Sequence, residues 1–201
     1  ATSGSANTSA EDRIFSSEIL FGNYHSKRTT DIFDKTFSYK LEAKNVLKMS
    51  DYGISQLYED DGDLRKCQWQ TQRDTEGNVG QFFVKYGDVT DNGFEFAKLL
   101  PMIRMSEMYL IKAECTKDYK ALNPIRKARN IPQLKSNIGL NGYIEDEYVR
   151  EFIGEGQLFW YYKRKGVTSI PRLYNPSLQD MQITNSAYVF DLPDSEQQLR
   201  K

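Results

Sequence analysis

Hydrophobic positions along the chain recur at helical spacing mainly in its second half. Met102, Met105, Tyr109 and Ala113 form one stripe, broadened by Ile103 and Leu110. Pro101 is suited to the first turn, so the pattern predicts a helix from Pro101 to about Thr116. Asn123 followed by Pro124 reads as an N-cap and first helical residue. They open a short helix through Asn130, with Ile125 and Ala128 three apart and Pro132 as its stop. A third helix is expected from about Ile144 to Lys165. Its stripe is Ile144, Tyr148, Phe152, Glu155, Phe159 and Tyr162, interrupted by Gly154 and Gly156. Gly166 is a natural C-cap, and Lys163, Arg164 and Lys165 sit where the helix dipole favours cations.

The first half is less regular. Residues 18–22 suit a strand slightly better than a helix, and residues 23–50 have no sustained period. They predict a long loop with a short helix near Glu42–Lys48, and such loops are often functional. Ser50 can cap a short helix through Tyr58, which the acidic stretch Glu59–Asp63 ends. Phe82, Val84 and Tyr86 alternate as in a strand, with turns at Gly87-Asp88 and Asp91-Asn92-Gly93. Tyr188, Phe190 and Leu192 alternate likewise before Pro193. Two segments follow: a loop-rich 1–100 with short strands and a helical 101–201 with an extended end, together one compact unit.

Composition narrows the chemistry. The 201 residues carry 27 Lys+Arg against 28 Asp+Glu, a net charge of −1, which argues against capture of nucleic acid. No apolar run approaches the length that crosses a membrane as a helix. Cys67 and Cys115 form no CxxC, and His25 is the sole histidine, so a zinc site is excluded. The two thiols are expected to be separate, although spacing does not decide their pairing. Counting from Asp88, the calcium-loop pattern fails at its twelfth position, where Leu99 stands. No metal and no cofactor is expected.

Catalytic signatures are missing too: no GxSxG, HExxH, Walker or GxGxxG pattern occurs. His25 reads as a solvated loop residue. Glu155, on an otherwise apolar stripe, reads as a buried or half-buried carboxylate satisfied by an arginine or by backbone donors, with a catalytic carboxylate as the alternative. An enzyme would need Glu155, or a pair from Asp60, Asp61 and Asp63, in a cleft. No catalytic residue is assigned. Aromatic residues make up 13% of the chain, enough to leave rings for a surface. The run Phe159-Trp160-Tyr161-Tyr162 points all round its helix, so it is expected to serve mainly as core or interface. The candidates for stacking on sugar faces are therefore rings in irregular segments: Tyr24, Phe33, Phe37, Tyr39 and Trp69.

Five segments then suggest a family. Residues 102–114 (MIRMSEMYLIKAE) closely resemble the R-x-x-E-M-Y-L-I-x-A-E helix of the SusD/RagB family. In the same order, 122–132 (LNPIRKARNIP) resembles L-N-x-I-R-x-R-A-G-I-P. Residues 147–157 (EYVREFIGEGQ) with Lys163-Arg164 resemble R-R-E-F-x-G-E-G-Q…F-D-L-K-R. Residues 190–196 (FDLPDSE) are similar to P-L-P-x-S-E, and 17–21 (SEILF) to the S-E-I-I-F strand. The resemblance implies a mainly α, SusD-like fold: a tetratricopeptide-like helix pair, a further helix, long loops and a few short strands. It implies a surface lipoprotein of the Bacteroidetes outer membrane that binds a glycan or peptide. The ligand passes to a SusC-type TonB-dependent transporter, with no catalysis. A tetratricopeptide-like scaffold for a protein partner, without a small ligand, is the alternative. Family members usually have a longer N-terminal half and a lipidated Cys. The opening Ala1-Thr2-Ser3-Gly4 tract without Met is likewise expected of a piece cut from a longer chain. Asn130 stands where the family has Gly, a change that a left-handed helix end tolerates.

Overall fold

The computed structural model describes residues 12–58, 60–87, 98–172 and 178–198. The opening tract, Glu59 and the turns and calcium-like loop at 88–97 lie outside them.

The expected first strand forms as β1 (Ile19–Tyr24). The long loop holds a π-helical turn, Thr29–Phe33, continuing into a single helical turn, α1 (Asp34–Thr36). Near Glu42 there is only a 3-10 turn, Ala43–Asn45, before β2 (Lys48–Met49). Then α2 (Asp51–Leu57) begins on Ser50, whose side chain accepts from the Gly53 amide as an N-cap does. A 3-10 turn, Leu64–Gln68, capped by Asp63, leads into β3 (Trp69–Arg73) and β4 (Val79–Phe83). β4 lies between β2 and β3 in an antiparallel sheet. Phe82, Phe83, Val84, Lys85 and Tyr86 are all buried, so the expected alternation of one wet and one dry face fails. That stretch is covered on both sides.

Pro101 does not open a helix. It lies in β5 (Leu99–Arg104), which pairs antiparallel with β1, Pro101 opposite Gly22 and Ile103 opposite Phe21. A two-stranded ribbon has no central strand, so a proline costs it little. The helix α3 (Met105–Thr116) starts after Arg104 and buries Ser106, Leu110 and Ala113. Of the expected stripe, Leu110 and Ala113 are buried and Tyr109 packs beside them, whereas Met102, Ile103 and Met105 are exposed with Met108 and Ile111.

α4 (Tyr119–Ala128) packs on α3 through a two-residue link, in which Lys117 is left-handed and Asp118 caps the new helix. Asn123 is no cap. Its side chain both donates to and accepts from the Leu134 backbone, pinning the segment after the helix, and Pro124 sits inside α4. Asn130 takes the left-handed conformation expected of it, with φ 59°.

The third helix is two. α5 (Leu140–Phe152) carries the expected buried stripe Ile144, Tyr148 and Phe152, and α6 (Gln157–Lys165) ends on left-handed Gly166. Gly154 and Gly156, at φ 74° and 81°, turn the chain between them. A short ribbon of β6 (Ser169–Ile170) and β7 (Met181–Gln182) follows. The expected extended piece at 188–193 follows a 3-10 turn, Asn185–Tyr188; Val189 is extended, but the stretch joins no strand before α7 (Asp194–Gln198).

Two apolar cores result. One gathers Phe33, Phe37, Met49, Leu57, Trp69, Phe83 and Tyr86 around the three-stranded sheet. The other gathers Leu110, Leu122, Ile125, Ile144, Tyr148, Phe152 and Tyr161 among the helices. Cys67 and Cys115 are unbridged, and burial pushes the Cys67 thiol up to about 11.

Candidate functional site

Many of the charged side chains buried in this fold, Arg104, Arg126, Arg129, Glu147, Arg150 and Glu151, come from the segments that carry the sequence motifs. Glu155, in the turn between α5 and α6, pairs with Lys85 and accepts from Arg104 Nη2 at 2.8 Å. Arg104 also donates to Glu151 Oε1 at 2.6 Å and to its backbone oxygen at 2.7 Å. Glu151 accepts as well from Arg65 and Arg129, and Arg129 forms a bidentate pair with Glu18. Arg65 binds Asp63 and, at 2.7 Å, Glu147, whose other oxygen serves Arg126 at 2.7 Å and Arg150 at 3.4 Å. One continuous chain of ion pairs thus runs from the β4 end to α4 and α5.

Burial by itself would raise the Glu151 carboxyl, but Arg129, Arg104 and Arg65 hold it well below the usual carboxylate range. Burial lowers Lys85, against the pull of Glu155. Both carboxylate oxygens of Glu155 are engaged, so of the expected partners, an arginine or backbone donors, the structure supplies an arginine and adds Lys85. The other acidic candidates do not meet in a catalytic pair: Asp63 is bound to Arg65, Asp61 to Lys66, and Asp60 accepts from the Gly62 amide. Among the described residues no group of three or more His, Cys, Asp or Glu is placed to hold a metal ion.

The five aromatic candidates separate sharply. Trp69 is 6% exposed, its ring edge on Phe83 at 5.1 Å and its indole N–H donating to the Tyr58 hydroxyl. Phe33 and Phe37 are buried in the same core, Phe37 against Phe83 and Tyr86. A ring closed in on its faces cannot receive a sugar, so these three are packing residues. Their segments lack a period, and their burial comes from a sheet assembled from distant strands, which the local sequence does not show. Tyr39 is half-buried with its ring near Phe82, and Lys40 lies 6.0 Å from the ring centre. Tyr24, at the end of β1, is 64% exposed. The structure does not bring the five together.

It brings together a different set. Trp160 on α6 is 57% exposed and Phe190 67%. Phe159 lies between them, its ring 5.1 Å from Trp160 and 5.3 Å from Phe190, and Trp160 and Phe190 are 6.0 Å apart. Tyr188 supports Phe159 from behind at 5.6 Å and is fixed by its hydroxyl donating to the Val167 carbonyl. Lys163, one turn on, holds its ammonium 5.7 Å from the Trp160 ring. Successive helical residues diverge by about 100°, which is why Tyr161 turns inward to stack on Tyr148 at 4.0 Å while Trp160 turns outward. The sequence assigns the ring run mainly to core or interface, so Phe159 and Trp160 are not among its candidates. Phe190, thirty residues on, was readable only as part of an extended piece.

Further exposed apolar residues lie elsewhere. Leu20 and Phe21 of β1, Met102 and Ile103 of β5, and Met105, Met108 and Ile111 of α3 are each exposed, with Phe21 and Ile103 paired across the ribbon.

Comparisons with known proteins agree with the fold. A SusD-like carbohydrate binding protein from Bacteroides vulgatus ATCC 8482 superposes with a TM-score of 0.66 at 16% identity, over 98% of this chain and 51% of that one. The chain thus spans about half the length of that protein, and the likeness shows a SusD-like, mainly α fold with short strands. Comparison with curated protein sequences gave no match. The SusD family model matches residues 7–199, nearly the whole chain, and the protein belongs to the SusD family.

Proposed function

We propose that this chain captures a glycan at the cell surface, with the Phe159–Trp160–Phe190 ring cluster as its stacking surface. The carrying observation is that cluster. Exposed aromatic faces offer the apolar, electron-rich surface that complements the C–H faces of a sugar, and Trp160 and Phe190 are two exposed rings 6.0 Å apart, tilted 57° to each other. Tyr24 and Tyr39 are secondary candidates. The similar protein from Bacteroides vulgatus, a carbohydrate binding protein by description, supports the ligand class.

The reading is of binding without catalysis, in a lipoprotein of the outer membrane. Among the described residues no helix is long and apolar enough to cross a membrane. The partner is a SusC-type TonB-dependent transporter. The exposed apolar residues of β1, β5 and α3, among them the Phe21–Ile103 pair, support a protein partner, since exposed apolar surface marks interaction sites when it gathers. The same residues favour the second reading, a helical scaffold that binds protein alone.

Affinity electrophoresis through gels containing soluble plant and microbial polysaccharides tests the choice. Retardation in one of them, reduced at least tenfold in apparent affinity by Trp160→Ala or Phe190→Ala with an unchanged far-ultraviolet CD spectrum, is the expected result. Retardation that both variants leave intact removes the ring cluster from the reading. No retardation in any gel, with transporter or other protein co-purifying through Met108 and Ile111, moves the scaffold to first place.

A further inference from the structure

The chain of ion pairs borders an open cleft of about 140 Å³, lined by Asp60, Asp63, Arg126, Ile131, Pro132 and Arg150. The lining is balanced in charge, two carboxylates against two guanidiniums. Behind it, Arg65 is met by Asp63, Glu147 and Glu151, and Arg150 has Asp146 at 3.9 Å as well as Glu147. A free ion of either sign thus meets a repelling group beside each attracting one. What the cleft offers instead is hydrogen-bonding capacity held in place. Arg126 and Arg150 are only 8% and 6% exposed. Arg126 commits Nε to the Pro132 carbonyl and Nη1 to Glu147, and its Nη2 makes no hydrogen bond among the described residues. Arg150 commits Nε to the Leu57 carbonyl and Nη1 to Glu147, and its Nη2 makes none among them either.

The remaining lining refines what fits. Asp63 is committed to Arg65 through both oxygens. Asp60 accepts from the Gly62 amide with Oδ1, and its Oδ2 makes no hydrogen bond to the described residues. Two directed donors, the Nη2 groups, and one acceptor therefore border the same cleft, beside an apolar wall of Ile131 and Pro132. Neighbouring hydroxyls use all three polar groups. One accepts from a guanidinium while donating to Asp60, the next accepts from the other guanidinium, and such a relay strengthens its own bonds. A carboxylate ligand is opposed by Asp60, an ammonium by the arginines, and an apolar ligand leaves all three groups unpaired. A neutral pyranose supplies the hydroxyls and a C–H face for the wall. The volume lies well below the roughly 300–1,000 Å³ of pockets for drug-sized ligands, so the cleft admits one ring and not a chain.

We infer that this cleft is a second sugar site, for a single neutral hexose residue, separate from the Phe159–Trp160–Phe190 cluster. A site that admits one ring takes a chain end or a branch. Both guanidinium forks are held by their other bonds before any ligand arrives, so little order has to be imposed on binding. Tyr143, 5.5 Å from the Arg126 guanidinium, backs that fork with its ring.

Nitrogen-15 NMR of the full chain reads the cleft directly, because the Nε–H groups of Arg126 and Arg150 are hydrogen-bonded and give their own side-chain peaks. The probes are galactose, glucose and mannose, with sodium acetate and methylammonium chloride as charged comparisons. At least one hexose should move both arginine peaks saturably, with a midpoint at least tenfold lower than that of either ion. Asp60→Asn keeps an acceptor for the Gly62 amide but turns the free acceptor into a donor, so it should raise that midpoint at least fivefold while preserving the turn. No movement with any hexose, movement with either ion at an equal midpoint, or a midpoint unchanged in Asp60→Asn each overturns the assignment. The Trp160 indole N–H peak reports the ring cluster in the same spectra. A hexose that moves it and neither arginine overturns this site and leaves the ring cluster standing, whereas movement of both arginines without it supports this site alone.

Discussion

Glu151 accepts hydrogen bonds from Arg65, Arg104 and Arg129 with its side chain fully buried. Charges removed from water in this way are stabilised only by one another, so deleting one member leaves the rest uncompensated. Glu151→Gln is expected to cost about 3–5 kcal/mol, the range for breaking a buried pair. Urea unfolding measures it, and a loss below about 1 kcal/mol would contradict the network's importance. The pH dependence follows in sign. The carboxyl of Glu151 is held well below its unfolded value of about 4.3. Its stabilisation is therefore complete above that value and is lost as pH falls further. Asp74 behaves alike. The Lys48 ammonium at 2.7 Å and the Asn78 amide, working against burial, hold its carboxyl at about 2, so its contribution disappears between about pH 4 and 2.

At the scale of elements, the break between α5 and α6 turns on two glycines with different surroundings. Gly154 is left-handed, and a Cβ there would lie 2.4 Å from a ring carbon of Phe83 in the core; Gly156 is left-handed with nothing within 4 Å. Gly156→Ala should thus carry backbone strain only, about 1–2 kcal/mol, whereas Gly154→Ala adds displacement of a buried ring for about 2–5 kcal/mol in all. Thermal melts of the two variants should differ accordingly, and equal melting would show that Phe83 yields freely. Both glycines were visible in the sequence as interruptions of a long periodic run, as were Ser50, Gly166 and the α5 stripe. These signals are local: a cap or a 3.6-residue period lies within a few residues of what it specifies. β5 was not visible, since its partner β1 lies some eighty positions earlier and Pro101 suits a helix start equally well. The burial of Trp69, Phe33 and Phe37 depends on the same distant assembly. So does the meeting of Phe190 with Trp160, which is why the aromatic cluster emerged only in three dimensions.

Over the whole molecule, the two cores touch through polar groups as much as through apolar ones. Arg65 and Asp63 belong to the loop-rich half, Lys85 to the end of the three-stranded sheet, and Glu147, Glu151 and Glu155 to the helical half. An interface of this kind couples its sides, because separating them exposes unpaired charges on both. Acidification attacks that coupling directly, protonating the carboxylates on which it depends. The chain has two tryptophans, Trp69 in the first core and Trp160 on the surface. In Trp160→Phe, fluorescence reports the first core alone, while near-ultraviolet CD of the stacked Tyr148–Tyr161 pair adds a signal from the second. On lowering pH below about 4, both signals should change together in one transition, since neither core keeps its charged wall without the other. Two separated transitions would show that the cores unfold independently, with the ion pairs merely lying between them.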